Sequence, residues 1–413
     1  MRVERWTLAA GEAEPLAARA RALTAAGADV RDAVEAIVAD VRARGDAALD
    51  AYVERFDATG GAPLRVAPSE LDAAAAGLRS DVRAGLEVAM ANVAAVAGAS
   101  LGDDAELRLP QGQRIHVREL PVRRAGIYVP GGRAPYPSTV VMGAVTARVA
   151  GVEEICVCAP GAHPVILAAC ALCGVDEVYR MGGAHAVAAL AYGTRRVARV
   201  DVIAGPGNLY VQEAKRLVSG DVGIDGFLGP SDVLVLAAPG AAPELVALDL
   251  LAQAEHGEGT IVAAVSADGA LLDAVAERLD AQTEAVALLV DAPSLDEGLA
   301  FAEAFAPEHL ELVGERAEAL AGRVRRAGCV FVGATGGTAF GDYVAGSNHS
   351  LPTGGAARFA SSLSVRHFRR RMAEVHIGAA APALARAGAP IARAEGFTVH
   401  AASMEARQNG APR

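Results

Sequence analysis

The sequence predicts an α/β protein built on parallel sheets, and three observations predict it. Beyond residue 126, short apolar runs that end in Gly or Pro alternate with stretches of helical periodicity. A second series of the same build follows Pro230. The chain has 413 residues, more than one ordinary hydrophobic core organises.

Residues 1 to about 100 read as helices, with apolar positions at helical spacing over 30–44 and 68–97. The first strand series is 126–129, 155–158, 177–179 and 200–203. The second is 233–236, 261–265, 286–290 and 330–332, with helices over 245–256, 271–281 and 295–305 between its members. Strands that alternate with helices imply a parallel sheet with helices on its faces. After about residue 360 the pattern changes again. An Arg-rich helix with a solvated face is expected over 366–371, followed by an Ala/Pro/Gly-rich tail. That tail is too short to fill a core and is expected to pack on another domain or subunit.

Apolar residues make up 52% of the chain and charged residues 21%, which is a globular composition. The net charge is -11 and the basic residues are scattered, so the concentrated basic face of a nucleic-acid binder is not expected. Lys215 is the only lysine; every other basic side chain apart from histidine is arginine. That bias reads as a preference for GC-rich codons and by itself points to no function. The opening residues Met1-Arg2-Val3-Glu4-Arg5 carry charges and no apolar segment, unlike a secretory signal. No stretch of about 18 apolar residues lacks Gly, Pro or charge, so no membrane span is expected and the expected location is the cytoplasm. The pair Cys170-Ala171-Leu172-Cys173 has the spacing of a metal or redox site. It lies on an Ala-rich helix, and Cys156 and Cys158 lie on an apolar strand, so the core reading is favoured for all four.

Four polar constellations carry possible chemistry. Gln253-Ala254-Glu255-His256 ends a helix, and Gln253 and His256 are three apart, on one side of it, where an amide oxygen and an imidazole nitrogen could hold a divalent metal. On its own such a pair is more often a helix cap or a solvated face. Glu308-His309 places two proton carriers of different pKa side by side, against the plain reading of an exposed dipeptide. Phe340-Gly341-Asp342-Tyr343 is expected to put Asp342 on a loop near the carboxyl end of a strand, where α/β sheets bind ligands; a turn residue is the alternative. Glu395 and His400 stand out in an otherwise bland tail. With Gln253, His256 and Asp342, His400 completes a thiolate-free ligand set suited to zinc. For a nucleotide, no Gly-x-Gly-x-x-Gly follows a strand. Gly205-Pro206-Gly207-Asn208 comes nearest, between a strand and the helix over 209–218. Tyr128-Val129-Pro130-Gly131-Gly132 also ends a strand in a glycine turn.

In this order the pieces resemble the histidinol dehydrogenase family. The blocks are Gly126 through Gly132, Ala204-Gly205-Pro206-Gly207-Asn208, Asp221-Val222-Gly223-Ile224-Asp225 and Gly229-Pro230-Ser231. They continue with Gln253 through Gly257, Ala306-Pro307-Glu308-His309-Leu310-Glu311, Gly341-Asp342-Tyr343, Asn348 through Thr353 and Glu395 through His400. The resemblance covers nearly the whole chain from about residue 25. It implies two incomplete Rossmann-like domains with parallel sheets, small helical N- and C-terminal extra domains, and a homodimer with shared active sites. The implied divisions are 22–125 with 233–363 for the metal and catalytic residues, 126–232 for the cofactor turns, 1–21 with 364–388 for a small extra domain, and 389–413 for a tail that reaches the partner.

The resemblance further implies one zinc per subunit, held by Gln253, His256, Asp342 and His400, the last from the partner. His309 would be the base in hydride transfer and Glu308 the activator of water. Ser231, Gln253, His256, His309, Asp342, Glu395 and His400 would contact the substrate, and Tyr128, His185 and Asn208 would contact NAD. Family members usually carry Gln in the stretch that here reads Gly182-Gly183-Ala184-His185-Ala186. The implied activity is the two-step, NAD-dependent oxidation of L-histidinol to L-histidine through bound L-histidinaldehyde, the last step of histidine biosynthesis. The alternatives are a paralogue acting on another small polar alcohol, such as a sulfonated diol, and a non-catalytic α/β binding protein.

Overall fold

The computed structural model describes residues 1–23, 30–57, 59–131, 134–226, 229–280 and 282–408. The expected turn residue Gly132, the end of the expected helix at Ala281 and the last five residues of the tail lie outside these. The chain forms two compact units. The larger comprises residues 1–100 and 122–368, the smaller 101–121 and 369–413.

The larger unit holds two all-parallel sheets. One has five strands, in spatial order Glu177–Tyr179, Glu154–Cys158, Arg124–Tyr128, Val202–Ala204 and Gly223–Ile224. Taken in chain order this is third, second, first, fourth, fifth, the order of an incomplete doubly wound fold. The other sheet runs Val286–Asp291, Ile261–Ser266, Asp232–Ala237, His309–Val313 and Cys329–Val332 in the same relative order. A sixth strand, Arg2–Thr7, pairs with Val286–Asp291 at its edge. The central strands of this sheet are buried along their whole length, and so read as continuous apolar runs rather than alternating ones.

Three expectations change here. Residues 2–7 are an edge strand, not part of a helical region, and residues 1–21 thus belong to the larger unit's sheet rather than to a small domain with 364–388. Of the side chains of this strand only Trp6 is buried, so it carries no alternating apolar signal. The expected helix over 68–97 is two helices, Pro68–Ala76 and Ser80–Ala99, broken at Gly77. The Arg-rich helix expected over 366–371 is a 3-10 helix, Val365–Phe368, followed by a strand, Arg369–His376, paired antiparallel with Arg114–Pro121. Cross-strand partners such as Glu119, which accepts from Arg371, let a run of arginines sit on a sheet. The smaller unit is accordingly a three-stranded antiparallel sheet with the helices Ala381–Ala394 and Thr398–Glu405.

One helix among the described residues, Ser80–Ala99, is long and apolar enough to cross a membrane; its Leu86, Ala89, Val93 and Ala97 are buried in the core of the larger unit. Cys156, Cys158 and Cys170 are buried core residues, and burial pushes the Cys156 thiol up to about 12. Phe301, fully buried, fills the core between the helix Leu295–Phe305 and the six-stranded sheet, with Leu234, Leu288 and Leu310. Phe301→Ala should lower unfolding stability by about 3–5 kcal/mol through the cavity it leaves. Denaturant titration checks this, and a loss under about 1 kcal/mol would contradict the packing described.

Candidate active site

The site residues gather where the adjacent strands Asp232–Ala237 and His309–Val313 of the six-stranded sheet begin. In the parallel register His309 pairs with Val233, which puts Glu308 opposite Asp232. The two acids are joined twice: the Asp232 N–H donates to Glu308 Oε2 at 3.0 Å, and the Glu308 N–H donates to Asp232 Oδ1 at 2.7 Å. Ser231 also hydrogen-bonds the Glu308 carboxylate. Arg21, from the helix Ala13–Ala22, reaches the other Asp232 oxygen at 2.5 Å and donates to the carbonyls of Phe305 and Ala306. Ala306 itself takes a left-handed conformation, φ 49°, which turns the chain from helix into Pro307-Glu308-His309.

Burial, reinforced by Asp232, pushes the Glu308 carboxyl well above the usual carboxylate range. Burial, with His256 nearby, pushes His309 down to about 3, so at neutral pH its ring is uncharged and able to accept a proton. Neither ring nitrogen of His309 meets hydrogen-bond geometry with a partner among the described residues. Nδ1 lies 3.9 Å from Glu308 Oε2, and Nε2 lies 3.7 Å from Asp342 Oδ1.

Asp342 lies in the short helix Thr338–Tyr343, not on the loop expected for it, and faces the amino ends of the strands. Burial raises its carboxyl to about 6, while His256 lowers it. Gln253 lies at the end of the helix Pro243–Ala254 and is 1% exposed, yet both atoms of its amide lack a partner among the described residues. His256 Nδ1 meets the Gln253 carbonyl at 2.9 Å, an orienting contact of the kind that leaves Nε2 as the acceptor of an imidazole. The helix Pro243–Ala254 runs back along the sheet, so its end falls at the same strand edge as Glu308. A buried, unsatisfied amide is costly unless something absent from the chain satisfies it. Beside His256 and Asp342, an oxygen-and-nitrogen-binding metal fits that role. Among the described residues no three His, Cys, Asp or Glu side chains form a cage by themselves. Only two of the proposed ligands in this unit are of those types, the third being the Gln253 amide.

Sequence reasoning missed several supporting groups. Besides Arg21 and Asp232, His349 connects Thr139 Oγ1, at 3.3 Å from Nε2, to the Asp342 carbonyl, at 3.0 Å from Nδ1. Asn348 donates to the Met142 carbonyl inside a π-helical stretch, Val141–Val145. These contacts join the segment that follows the strand Arg124–Tyr128 to the helix that carries Asp342. Glu311, pushed up to about 9 by burial and by its hydrogen-bonded neighbour Asp249, accepts from the Thr338 N–H and so ties down the start of that helix.

The cofactor candidates lie at the other sheet. Tyr128 ends its first strand, and its buried hydroxyl accepts from the Gly183 N–H at 2.9 Å. His185 is also buried, with Nε2 at 2.8 Å from Asp57 and its ring against Tyr52 and Phe56. Asn208 is exposed, and its oxygen caps the helix Leu209–Val218. The turns after Arg124–Tyr128 and Val202–Ala204 flank the point where strand order reverses, the crevice in which such sheets bind ligands. Glu395 and His400 lie on the smaller unit, both exposed, with His400 against the Phe397 ring.

A family model for histidinol dehydrogenase matches residues 20–408. The chain belongs to the histidinol dehydrogenase family. Relatives bearing that name include one from Parasynechococcus marenigrum, 43% identical over 96% of this chain and 95% of its own length. Another, from Gluconobacter oxydans, is 41% identical over 97% and 98%. The crystal structure of histidinol dehydrogenase from Elizabethkingia anophelis superposes with a TM-score of 0.89 at 28% identity, covering 99% of this chain and 98% of that one. The sheet order and the Glu308-His309 arrangement described above are thus those of a histidinol dehydrogenase family member, an oxidoreductase.

The unpartnered Gln253 amide yields a test independent of turnover. In metal-free protein, Gln253→Leu should leave the unfolding temperature unchanged or raise it, because an unsatisfied buried amide costs about 1–3 kcal/mol. A loss above about 1 kcal/mol in a calorimetric scan would mean that the amide has a partner in the chain.

Proposed function

We propose that the chain oxidises L-histidinol to L-histidine in two NAD-dependent steps with the aldehyde held between them, the last step of histidine biosynthesis. The observation that carries the proposal is the meeting of an unpartnered Gln253 amide, His256 and Asp342 with the Glu308–His309 pair. In this proposal Gln253, His256 and Asp342, with His400 of the partner subunit, hold one zinc. Zinc supplies a template for the amine and imidazole nitrogens of the substrate, and NAD accepts hydride.

The chain's own groups handle the protons and the positioning. His309, neutral and with unpartnered nitrogens, accepts the alcohol proton at Nε2. Glu308, fixed by the Asp232 N–H and by Ser231, takes a proton from water, which adds to the aldehyde. His309, once it has given the alcohol proton up to solvent, serves the second oxidation as it served the first. Ser231 and Glu395 orient the substrate, and Tyr128, His185 and Asn208 shape and present the dinucleotide turns.

Exposed apolar residues support a site shared between two subunits. Phe340 and Tyr343, 58% and 61% exposed, flank Asp342, while Phe397 and Val399, 55% and 78% exposed, flank His400. Surfaces of that kind are normally covered. A two-fold dimer that covers one with the other would bring His400 to the partner's site.

NADH absorbance followed with histidinol against a panel of other small alcohols tests the reading. Turnover confined to other alcohols would overturn it. A chelator should abolish turnover and zinc should restore it; full activity in metal-free protein would remove zinc from the scheme. His309→Asn should slow both half-reactions by roughly 100-fold or more, whereas Glu308→Gln should slow mainly the conversion of aldehyde to acid. Aldehyde oxidation at the parental rate in Glu308→Gln would remove Glu308 from water activation. Mixed dimers of His309→Asn and His400→Asn chains should regain activity, approaching roughly a quarter of the parental value under random mixing. Mixed dimers that form and stay inactive would place His400 outside the partner's site.

A further inference from the structure

Lys215 is the one lysine among 38 lysines and arginines. A codon preference that has made every other such position arginine has left this one alone. The structure supplies a physical reason. Lys215 is 0% exposed, on the inner face of the helix Leu209–Val218. Helical side chains lean towards the helix N-terminus, and Lys215 reaches back to the turn that opens its own helix. Its Nζ donates to the Gly205 carbonyl at 2.9 Å and pairs with Asp225 Oδ1. The other Asp225 oxygen accepts from the Gly205 N–H at 2.6 Å. Both polar groups of one glycine are therefore held by one buried ion pair.

Gly205 cannot move aside. Its φ is +128°, and a Cβ there would lie 2.0 Å from the Tyr128 carbonyl oxygen, so the turn is pressed against the end of the strand Arg124–Tyr128. Pro206, Gly207 and the helix-capping Asn208 follow directly. A guanidinium does not substitute in such a space. It is planar and larger, and brings five donors where the ammonium brings three.

We propose that Lys215 and Asp225 are the positioning pair of the Gly205–Asn208 turn, that a compact ammonium is required there, and that affinity for the dinucleotide depends on it. The inference rests on the reading of this turn as the cofactor site. A buried ion pair contributes little net stability compared with apolar replacements, so its value here is the geometry it imposes.

Kinetics of a double variant, Lys215→Met with Asp225→Asn, test this without leaving an unpaired buried charge. The KM for NAD should rise about tenfold or more, as expected when a binding element is misplaced. The KM for histidinol and the zinc content should stay within about twofold, a split that general loss of structure does not produce. Lys215→Arg should show the same split. Asn208→Ala separates the two layers of the argument. If it raises the KM for NAD and the double variant does not, the positioning role is wrong. If neither does, the turn is not the cofactor site and both readings fall. Should the double variant misfold, the parental protein still decides, because Lys215 is its only side-chain amine. Under limited acetylation read by peptide mass spectrometry, saturating NAD should slow modification of Lys215 several-fold relative to the Met1 amine, and histidinol alone should not. Equal rates with and without NAD would overturn the proposal.

Discussion

The paired hydrogen bonds between Asp232 and Glu308 are the constraint on which the site depends. They lock the starts of two neighbouring parallel strands, so the register that pairs His309 with Val233 also fixes a carboxylate beside an imidazole. The pair is made from backbone N–H groups that the first residues of a strand would otherwise leave unmet. Arg21 offsets the charge of Asp232 and holds the Phe305 and Ala306 carbonyls, which fixes the left-handed turn at Ala306 just upstream. A proton carrier mounted this way has little freedom to rotate. That fixity suits the water-activating role proposed for Glu308.

Both sheets lie in one compact unit, each with its own core clusters. Doubly wound sheets bind ligands at the carboxyl ends of their strands, and the Tyr128 and Gly205 turns lie at such ends. Glu308, His309 and Asp342 do not, because they cluster at amino ends. His349, between Thr139 and the Asp342 carbonyl, links the two kinds of edge. The carboxyl edge of one sheet is thereby connected to the amino edge of the other, and in the proposed reaction these edges would hold the dinucleotide and the proton carriers.

Much of this was legible in the sequence, and for identifiable reasons. Continuous apolar runs such as 233–236 and 261–265 read correctly because strands buried on both faces contain little else. Gln253 and His256 were legible as a pair because helical spacing places them together, although the decisive feature, an amide with no partner, exists only in three dimensions. The strand at residues 2–7 was obscured because its partner, Val286–Asp291, lies far along the chain. The strand at 369–376 was obscured because arginines carry no period until their cross-strand partners are known. Arg21 and Asp232 left no local signal, since neither stands in a motif that names its partner. Lys215 did leave one, its solitude among arginines, which acquires meaning only once its burial is seen.

In the proposed reaction one site, with one base and one water-activating carboxylate, carries an alcohol through an aldehyde to an acid without releasing it. Product stoichiometry with limiting histidinol is the decisive measurement. Two NADH should form for each histidinol consumed, with histidine as the product and no aldehyde trapped by an added carbonyl reagent. One NADH for each histidinol, with the aldehyde captured in solution, would contradict it.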